Sequence, residues 1–341
     1  MPIPPAATTA ARPNTVRRLL RLLATVVVGL SLAAAGYAVV AYRAYHRVRP
    51  ADRPCLDCGT PVTVNGYQLL VREVGSDTTR PPVIAVHGGP GHSSLSFRRS
   101  LDFLGTQRRL VYYDQRGSGN SQSKDRPEDF VIDSLVEELE ALRRDVVKAD
   151  KVVLLGHSFG SALVQRYALR YASHVDKLVI VGGIRLNNGM TNRFVWRWLG
   201  PALLSTALGF PQGTGDDADR WFTTSDTAGD LARLFDPKKG ALLDSTGTVR
   251  FAAWHAISLS LVGDAQEDAL RRLDIPTLVL YGAADTDYTG EPTAKAMCAV
   301  FPRCTPVAFL QSGHWPFLEE PVRFQQVVGD FLTEDPSRPG R

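Results

Sequence analysis

The sequence predicts an α/β architecture: a mostly parallel sheet flanked by helices, interrupted by an inserted helical cap and preceded by one apolar N-terminal helix. Three observations predict it. Short, continuously apolar runs recur along the chain, as expected of strands covered on both faces. Helical patterns alternate with them, the signature of a parallel sheet with crossover helices. The rhythm then stops once, for almost 90 residues, which is far more than a simple crossover needs.

The elements follow in order. Between Arg21 and Arg43 lie 21 residues without charge, Leu22 to Tyr42. As a helix they would measure about 31 Å, against a hydrocarbon core of about 30 Å. Residues 1–21 then read as a cytoplasmic tail, 22–42 as a transmembrane helix and 43–60 as a stalk. The competing reading is a signal peptide cleaved near Ala33-Ala34-Ala35. The run exceeds the 7–15 residues of a signal's apolar region, and Arg43, Arg47 and Arg49 follow it closely. Pro61 to Val74 reads as a hairpin about Asn65-Gly66, a two-residue turn signal. Strands are expected at Val83–Val86, Leu110–Tyr113, Val152–Leu155, Leu178–Val181, Thr277–Leu280 and Pro306–Leu310. Helices are expected at Ile132–Val147, Ser161–Tyr171 and Pro321–Leu332. In the first of these Leu135, Leu139, Leu142 and Val146 share a face, and Glu137, Glu138, Arg143 and Arg144 read as solvated. The core is therefore assigned to 61–184 and 274–341, and the cap to 185–273.

Charge is uneven. Residues 1–54 carry eight Arg against one acid, Asp52, and the other 287 residues sum to −3. The basic pI of 8.9 belongs to the N-terminal segment, and nucleic acid binding loses its main support. The partners expected are a small-molecule or short-peptide substrate and, through residues 22–42, a lipid bilayer. Cys55-x-x-Cys58 and Cys298 with Cys304 form two close pairs. Two local disulfides, one zinc site or reduced thiols all remain open. Disulfides and a short tail favour a body outside the cytoplasm.

The chemistry centres on Gly156-His157-Ser158-Phe159-Gly160, set between a strand and a helix. A serine on so sharp a turn holds its Oγ in the open, and side chains two before and two after would collide. A serine hydroxyl also needs a base. Of the seven His, only His255 and His314 follow Ser158. His255 lies in the cap, whereas His314 ends the Pro306–Leu310 strand, where open α/β sheets place reactive groups. Asp285 and Asp287 follow the Thr277–Leu280 strand and are both candidates to orient that imidazole; spacing from the strand prefers Asp285. Oxyanion donors are expected from the N–H of Phe159 and from the loop His87-Gly88-Gly89-Pro90-Gly91. A phosphate cradle is disfavoured, because the chain has no G-K-[ST] and no G-x-G-x-x-G. No cofactor or metal is expected.

These residues resemble the α/β-hydrolase superfamily and, more narrowly, its proline iminopeptidase-like branch. The marks are His87–Gly91, the run Asp114-Gln115-Arg116-Gly117-Ser118-Gly119-Asn120-Ser121, the elbow at 156–160, Asp285 and Gly313-His314. The resemblance spans about residues 61–333. It implies the α/β-hydrolase fold and a serine hydrolase with Ser158 as nucleophile, His314 as base and Asp285 as its orienter. It also implies that the backbone N–H groups of Gly89 and Phe159 form the oxyanion hole. His87, Gly88, Pro90, Asp114 and Arg116 would support the loops. The branch often carries a Trp-Glu pair in its cap to hold a substrate ammonium, where this sequence reads Ala253-Trp254-His255. Two substrate readings therefore stand: an aminopeptidase-like amidase, and an esterase or lipase-like enzyme with Trp196, Trp198, Trp221, Phe222 and Trp254 about an apolar pocket. A third, a binding protein without turnover, is opposed by a complete triad.

Overall fold

The computed structural model describes residues 13–47, 59–121, 129–187, 189, 192, 219, 222–223, 229–243, 249–285 and 288–334. The chain divides into two units, 1–48 and 49–341.

The first unit is a single helix, α1 (Pro13–Arg47), longer at both ends than the span expected from sequence. Its described side chains are exposed, Leu22, Leu23, Leu30 and Leu32 at 64–69%. Among the described residues no helix is long and apolar enough to cross a membrane. The uncharged run 22–42 lies within α1, and the expectation that it spans a membrane is not met by the described residues. Most of the expected stalk lies outside the described residues.

The second unit is built on eight strands: β1 (Thr60–Val64), β2 (Tyr67–Val74), β3 (Val83–Val86), β4 (Leu110–Tyr113), β5 (Val152–His157), β6 (Val175–Val181), β7 (Thr277–Gly282) and β8 (Cys304–Phe309). They lie in the order β1-β2-β4-β3-β5-β6-β7-β8. Only β2 runs against its neighbours, and the other pairings from β4 to β8 are parallel. The β1–β2 turn is the expected Asn65-Gly66, with φ of 47° and 76°. Both values are positive, as a turn matched to the twist of a two-residue hairpin requires.

The apolar runs become strands because alternate residues face two covered sides. Ile84, Val86, Val111, Tyr113, Leu154, Leu178, Ile180 and Val279 enter one cluster. It is closed by α2 (Ile132–Ala141), α3 (Phe159–Arg170) and residues between β6 and β7, where α4 (Phe251–Ser260) contributes Ala253 and Ile257. Ala294 and Met297 of α5 (Glu291–Cys298) join the same side. Val83, Ala85, Leu110, Tyr112, Val153, Leu155, Val179, Val181, Leu278 and Leu280 enter the other, closed by Phe324, Val328 and Leu332 of α6 (Pro321–Thr333). Each such side chain contributes about 1.5–3 kcal/mol on burial, so both layers are needed to hold the strand ends in register.

Two charges depart from the sequence reading. Glu138 and Arg143 are buried rather than solvated, at 0% and 6% exposure. Glu138 meets Arg116 at 2.8 Å and Arg143 meets Glu140 at 2.7 Å. Burial of a charge is tolerated when a partner of opposite sign and further hydrogen bonds go with it. The helix itself changes pitch here, passing from α2 into a π-helical turn over Leu142–Val147. Cys298 and Cys304 are joined in a disulfide between the end of α5 and the start of β8, which resolves one of the two cysteine pairs. Cys55 and Cys58 lie outside the described residues, as do Trp196, Trp198, Trp221 and Asp287.

Candidate active site

Parallel strands end at one edge of the sheet, and the loops after β3, β4, β5, β7 and β8 carry the expected site residues there. Ser158 follows β5 directly and precedes α3. Its backbone sits at φ 53°, ψ −121°, one of three described non-glycine residues with positive φ. Such a conformation costs on the order of 1–3 kcal/mol and persists only where its surroundings impose it. They do so here. The Ser158 N–H donates to the Val181 carbonyl at 2.9 Å, and Ser161 Oγ donates to the Ser158 carbonyl at 2.6 Å. A methyl group at Gly160 would stand 2.2 Å from the Val86 carbonyl oxygen, and one at Gly156 2.6 Å from that of Gly160. Both neighbours are backbone, so β5 and α3 close on the elbow only with glycine at these places.

His314, after β8, and Asp285, after β7, meet at 2.8 Å between Nδ1 and Oδ2. Both are buried. Burial alone would raise the Asp285 pKa. The charge and hydrogen bond of His314, the Arg233 guanidinium and the Thr289 hydroxyl overrule it and hold Asp285 well below the usual carboxylate range. Asp285 is therefore an anion at neutral pH and accepts from His314 Nδ1 whenever that nitrogen carries the hydrogen. Gly182, at the end of β6, lets the imidazole in, since a side chain there would lie 2.8 Å from ring atoms of His314. The His157 ring packs on it at 4.6 Å between centroids and bonds through Nε2 to the His314 carbonyl at 3.0 Å. Burial drives the His157 pKa well below its ordinary value. His157 is thus neutral, and since a carbonyl can only accept, its Nε2 carries the hydrogen.

The loop after β3 lies against the elbow: a methyl group at Gly88 would stand 3.0 Å from Ser158 Cβ. Gly89 has φ 114° and precedes a cis bond to Pro90. Phe159 is the first residue of α3, where an N–H has no partner within the helix. His87 anchors the loop. Burial lowers its pKa to about 4, its Nε2 accepts from the Gln115 N–H at 3.1 Å, and its Nδ1 reaches the Gly88 carbonyl at 2.9 Å. The neutral ring is therefore protonated on Nδ1. Asp114 Oδ1 accepts from the N–H and hydroxyl of Ser94, and Oδ2 from the Asn120 N–H. Arg116 bonds Glu138 through Nε and through its backbone N–H, and its guanidinium lies 4.4 Å from the Tyr67 ring centre. Asp114 and Arg116 thus tie loops to one another.

Three contributors escaped the sequence reading. Thr289 Oγ1 donates to Asp285 Oδ2 at 2.6 Å. Glu319 Oε2 accepts from the Gly313 N–H at 2.6 Å and fixes the loop before His314. Arg233, from the segment between β6 and β7, reaches Thr289, His314 and Asp285 with one nitrogen. Thr289 was accessible through its position four after Asp285; Arg233 carries no local signal. Among the described residues no group of three or more His, Cys, Asp or Glu is placed to hold a metal ion.

One sheet edge that gathers a strained serine, a histidine and a buried aspartate in this strand order is the organisation of the alpha/beta hydrolases. Residues 81–321 match that family, and the chain belongs to the alpha/beta hydrolase fold family. Within it the chain is similar to proline iminopeptidases. It is 38% identical over 121 residues to that of Saccharolobus solfataricus, over 36% of this chain and 38% of the relative, so it spans about two fifths of that protein's length. It is 27% identical over 288 residues to that of Lactobacillus delbrueckii subsp. lactis, over 78% of this chain and 95% of the relative. An esterase from Thermogutta terrifontis shares the fold, with a TM-score of 0.64 at 21% identity over 80% of this chain and 96% of the esterase.

Proposed function

We propose that the protein is a membrane-anchored serine hydrolase that cleaves an amide or ester bond through an acyl-enzyme, with an aminopeptidase-like substrate range. The observation that carries this reading is Ser158 at φ 53° beside the buried His314–Asp285 pair. In the reaction His314 Nε2 takes the Ser158 proton as Oγ bonds to the substrate carbonyl carbon. The N–H groups of Gly89 and Phe159 receive the oxyanion. The C–N or C–O bond breaks as His314 returns the proton to the leaving amine or alcohol. Water, deprotonated by His314, then attacks the acyl ester and releases the acid, and the proton returns to Ser158.

An ester substrate is the second reading, and one feature favours it. An aminopeptidase needs a carboxylate for the substrate ammonium. Three of the described acids in the proposed cap are engaged by arginines: Asp219 meets Arg250, Asp264 meets Arg166 and Glu267 meets Arg185, at 3.0, 3.1 and 2.6 Å. Trp254 and Phe222 pack with ring centres 4.6 Å apart and planes tilted by 44°, in a small apolar cluster with Val249. Proline- and alanine-naphthylamides, their N-blocked forms and nitrophenyl esters separate the readings. Equal rates on free and blocked amines would sink the aminopeptidase reading. Ser158→Ala should lower turnover by several orders of magnitude with the fold retained; near-wild-type turnover would sink the triad.

The anchor rests on the uncharged run 22–42 within α1 and on its exposed leucines. The tail would lie inside and the catalytic unit outside, where the Cys298–Cys304 disulfide is stable. Carbonate-washed membranes should retain the full-length chain. Release of a chain beginning near residue 36 would establish a cleaved signal instead.

A further inference from the structure

Arg233 stands where serine hydrolase chemistry has no need of a cation. Its Nη2 lies 2.6 Å from Thr289 Oγ1, 2.8 Å from His314 Nδ1 and 3.4 Å from Asp285 Oδ2. Its side chain is 8% exposed and that of Asp285 1%, and its backbone carbonyl accepts from the His314 N–H at 3.0 Å. One residue of the segment between β6 and β7 therefore holds the imidazole through both backbone and side chain.

We propose that Arg233 is a positioning residue for the triad: its guanidinium selects the tautomer of His314 and sets the pH at which that imidazole becomes a base. The inference rests on the Ser158–His314–Asp285 reading above. A guanidinium only donates. Nδ1 has Asp285 Oδ2 and Arg233 Nη2 both at 2.8 Å, and only one tautomer satisfies each. With the proton on Nδ1, His314 donates to Asp285, Arg233 turns its hydrogens to Thr289 and the carboxylate, and Nε2 is a bare base toward Ser158. With Nδ1 bare, Arg233 donates to it, Nε2 carries the proton and the base is off. The same charge opposes the imidazolium. In a triad without Arg233 the carboxylate acts on the ring alone; here its charge is shared with a cation at similar range.

Among the described residues, the other groups near His314 are neutral or engaged elsewhere. His157, from β5, is neutral through burial, with His92 near it. Tyr288 and Trp315 lie under the guanidinium at 5.7 and 5.9 Å. Glu319 spends its carboxylate on the backbone of Gly313, Phe235 and Asp236, and Glu320 on Gln311 and Ser312.

The test compares the full-length wild type with Arg233→Met and Arg233→Lys, with Arg233→Gln as a second neutral variant should the first fail to fold. The rate of fluorophosphonate labelling at Ser158 is measured against pH, and the ring nitrogens of His314 are titrated by nitrogen-15 NMR in the same proteins. In the neutral variants the acid limb and the His314 titration should both move up by about one pH unit, with the plateau rate within about tenfold of wild type. The lysine variant should stay near wild type. Neutral variants that label and titrate like the wild type would overturn the proposal, as would a lysine variant that shifts as far as methionine. If the wild type does not label at Ser158, the triad reading fails, and the His314 titration alone then decides whether Arg233 governs it.

Discussion

The substitution Arg116→Met tests how far the loop after β4 depends on one buried charge pair. Glu138 is fully buried and accepts from Arg116 Nε at 2.8 Å and from the Arg116 N–H at 3.2 Å. Burial is the largest influence on Glu138 and raises its pKa above the ordinary 4.5, with Arg116 pulling the other way. Methionine keeps an apolar stem against Tyr67 and removes the charge. The carboxylate then takes up a proton rather than stay ionised without a partner. Neutralisation at pH 7 costs at most about 1.36 kcal/mol for each pH unit between 4.5 and 7, about 3 kcal/mol. Burial already raises the wild-type Glu138 pKa, so the difference stays below that ceiling, with under about 1 kcal/mol more from the lost contact with Tyr67. A carboxyl group whose pKa is raised by folding weakens the fold above its unfolded value, and that penalty vanishes as pH falls below it. The wild type should therefore exceed the variant at pH 7, by no more than about 3 kcal/mol from the charge, the gap closing to under about 1 kcal/mol near pH 4.5. Urea unfolding followed by tryptophan fluorescence at pH 4.5, 6, 7 and 8 measures it. A loss equal at every pH would refute the charge argument, and a negligible loss at pH 8 would refute the burial of the pair.

Gly160→Ala places a methyl group 2.2 Å from the Val86 carbonyl oxygen, which only a backbone shift relieves. Stability should fall by about 1–3 kcal/mol and turnover by about 100-fold as Ser158 moves; thermal unfolding and kcat/KM measured together check both. Asp285→Asn removes the anion that orients His314 and should lower kcat by about 10⁴, the effect of this change in a serine protease triad. A fall of less than tenfold would assign that orientation to another group.

Much of the fold was legible because the relevant information is local. Val83–Val86 is apolar at every position and buried at every position, as a strand covered on both faces must be. Asn65-Gly66 predicts its own turn, because both residues tolerate the positive φ they adopt. The elbow was legible from its spacing: Gly156 collides with backbone four and five residues on, and Gly160 with the end of the adjacent β3. Strand ends then placed His314 and Asp285 at one edge without coordinates. The helix after β4 was legible in its apolar face, Leu135, Leu139 and Leu142, and not in its polar one.

The electrostatics of the site were not legible, and the reason is physical. A glutamate on a helix reads the same whether it faces water or a guanidinium. Glu138 is told from its half-buried neighbour Glu137 by Arg116, 22 residues earlier. Arg233 is told from any other arginine only by Asp285 and His314, 52 and 81 residues later. Apolar burial leaves a periodic trace, because every residue on the face shares the cost of exposure. A buried charge leaves none, because its cost is cancelled by one distant partner. The residues that set the protonation of such a site are therefore those for which sequence pattern is least informative, and Arg233 is read from geometry or not at all.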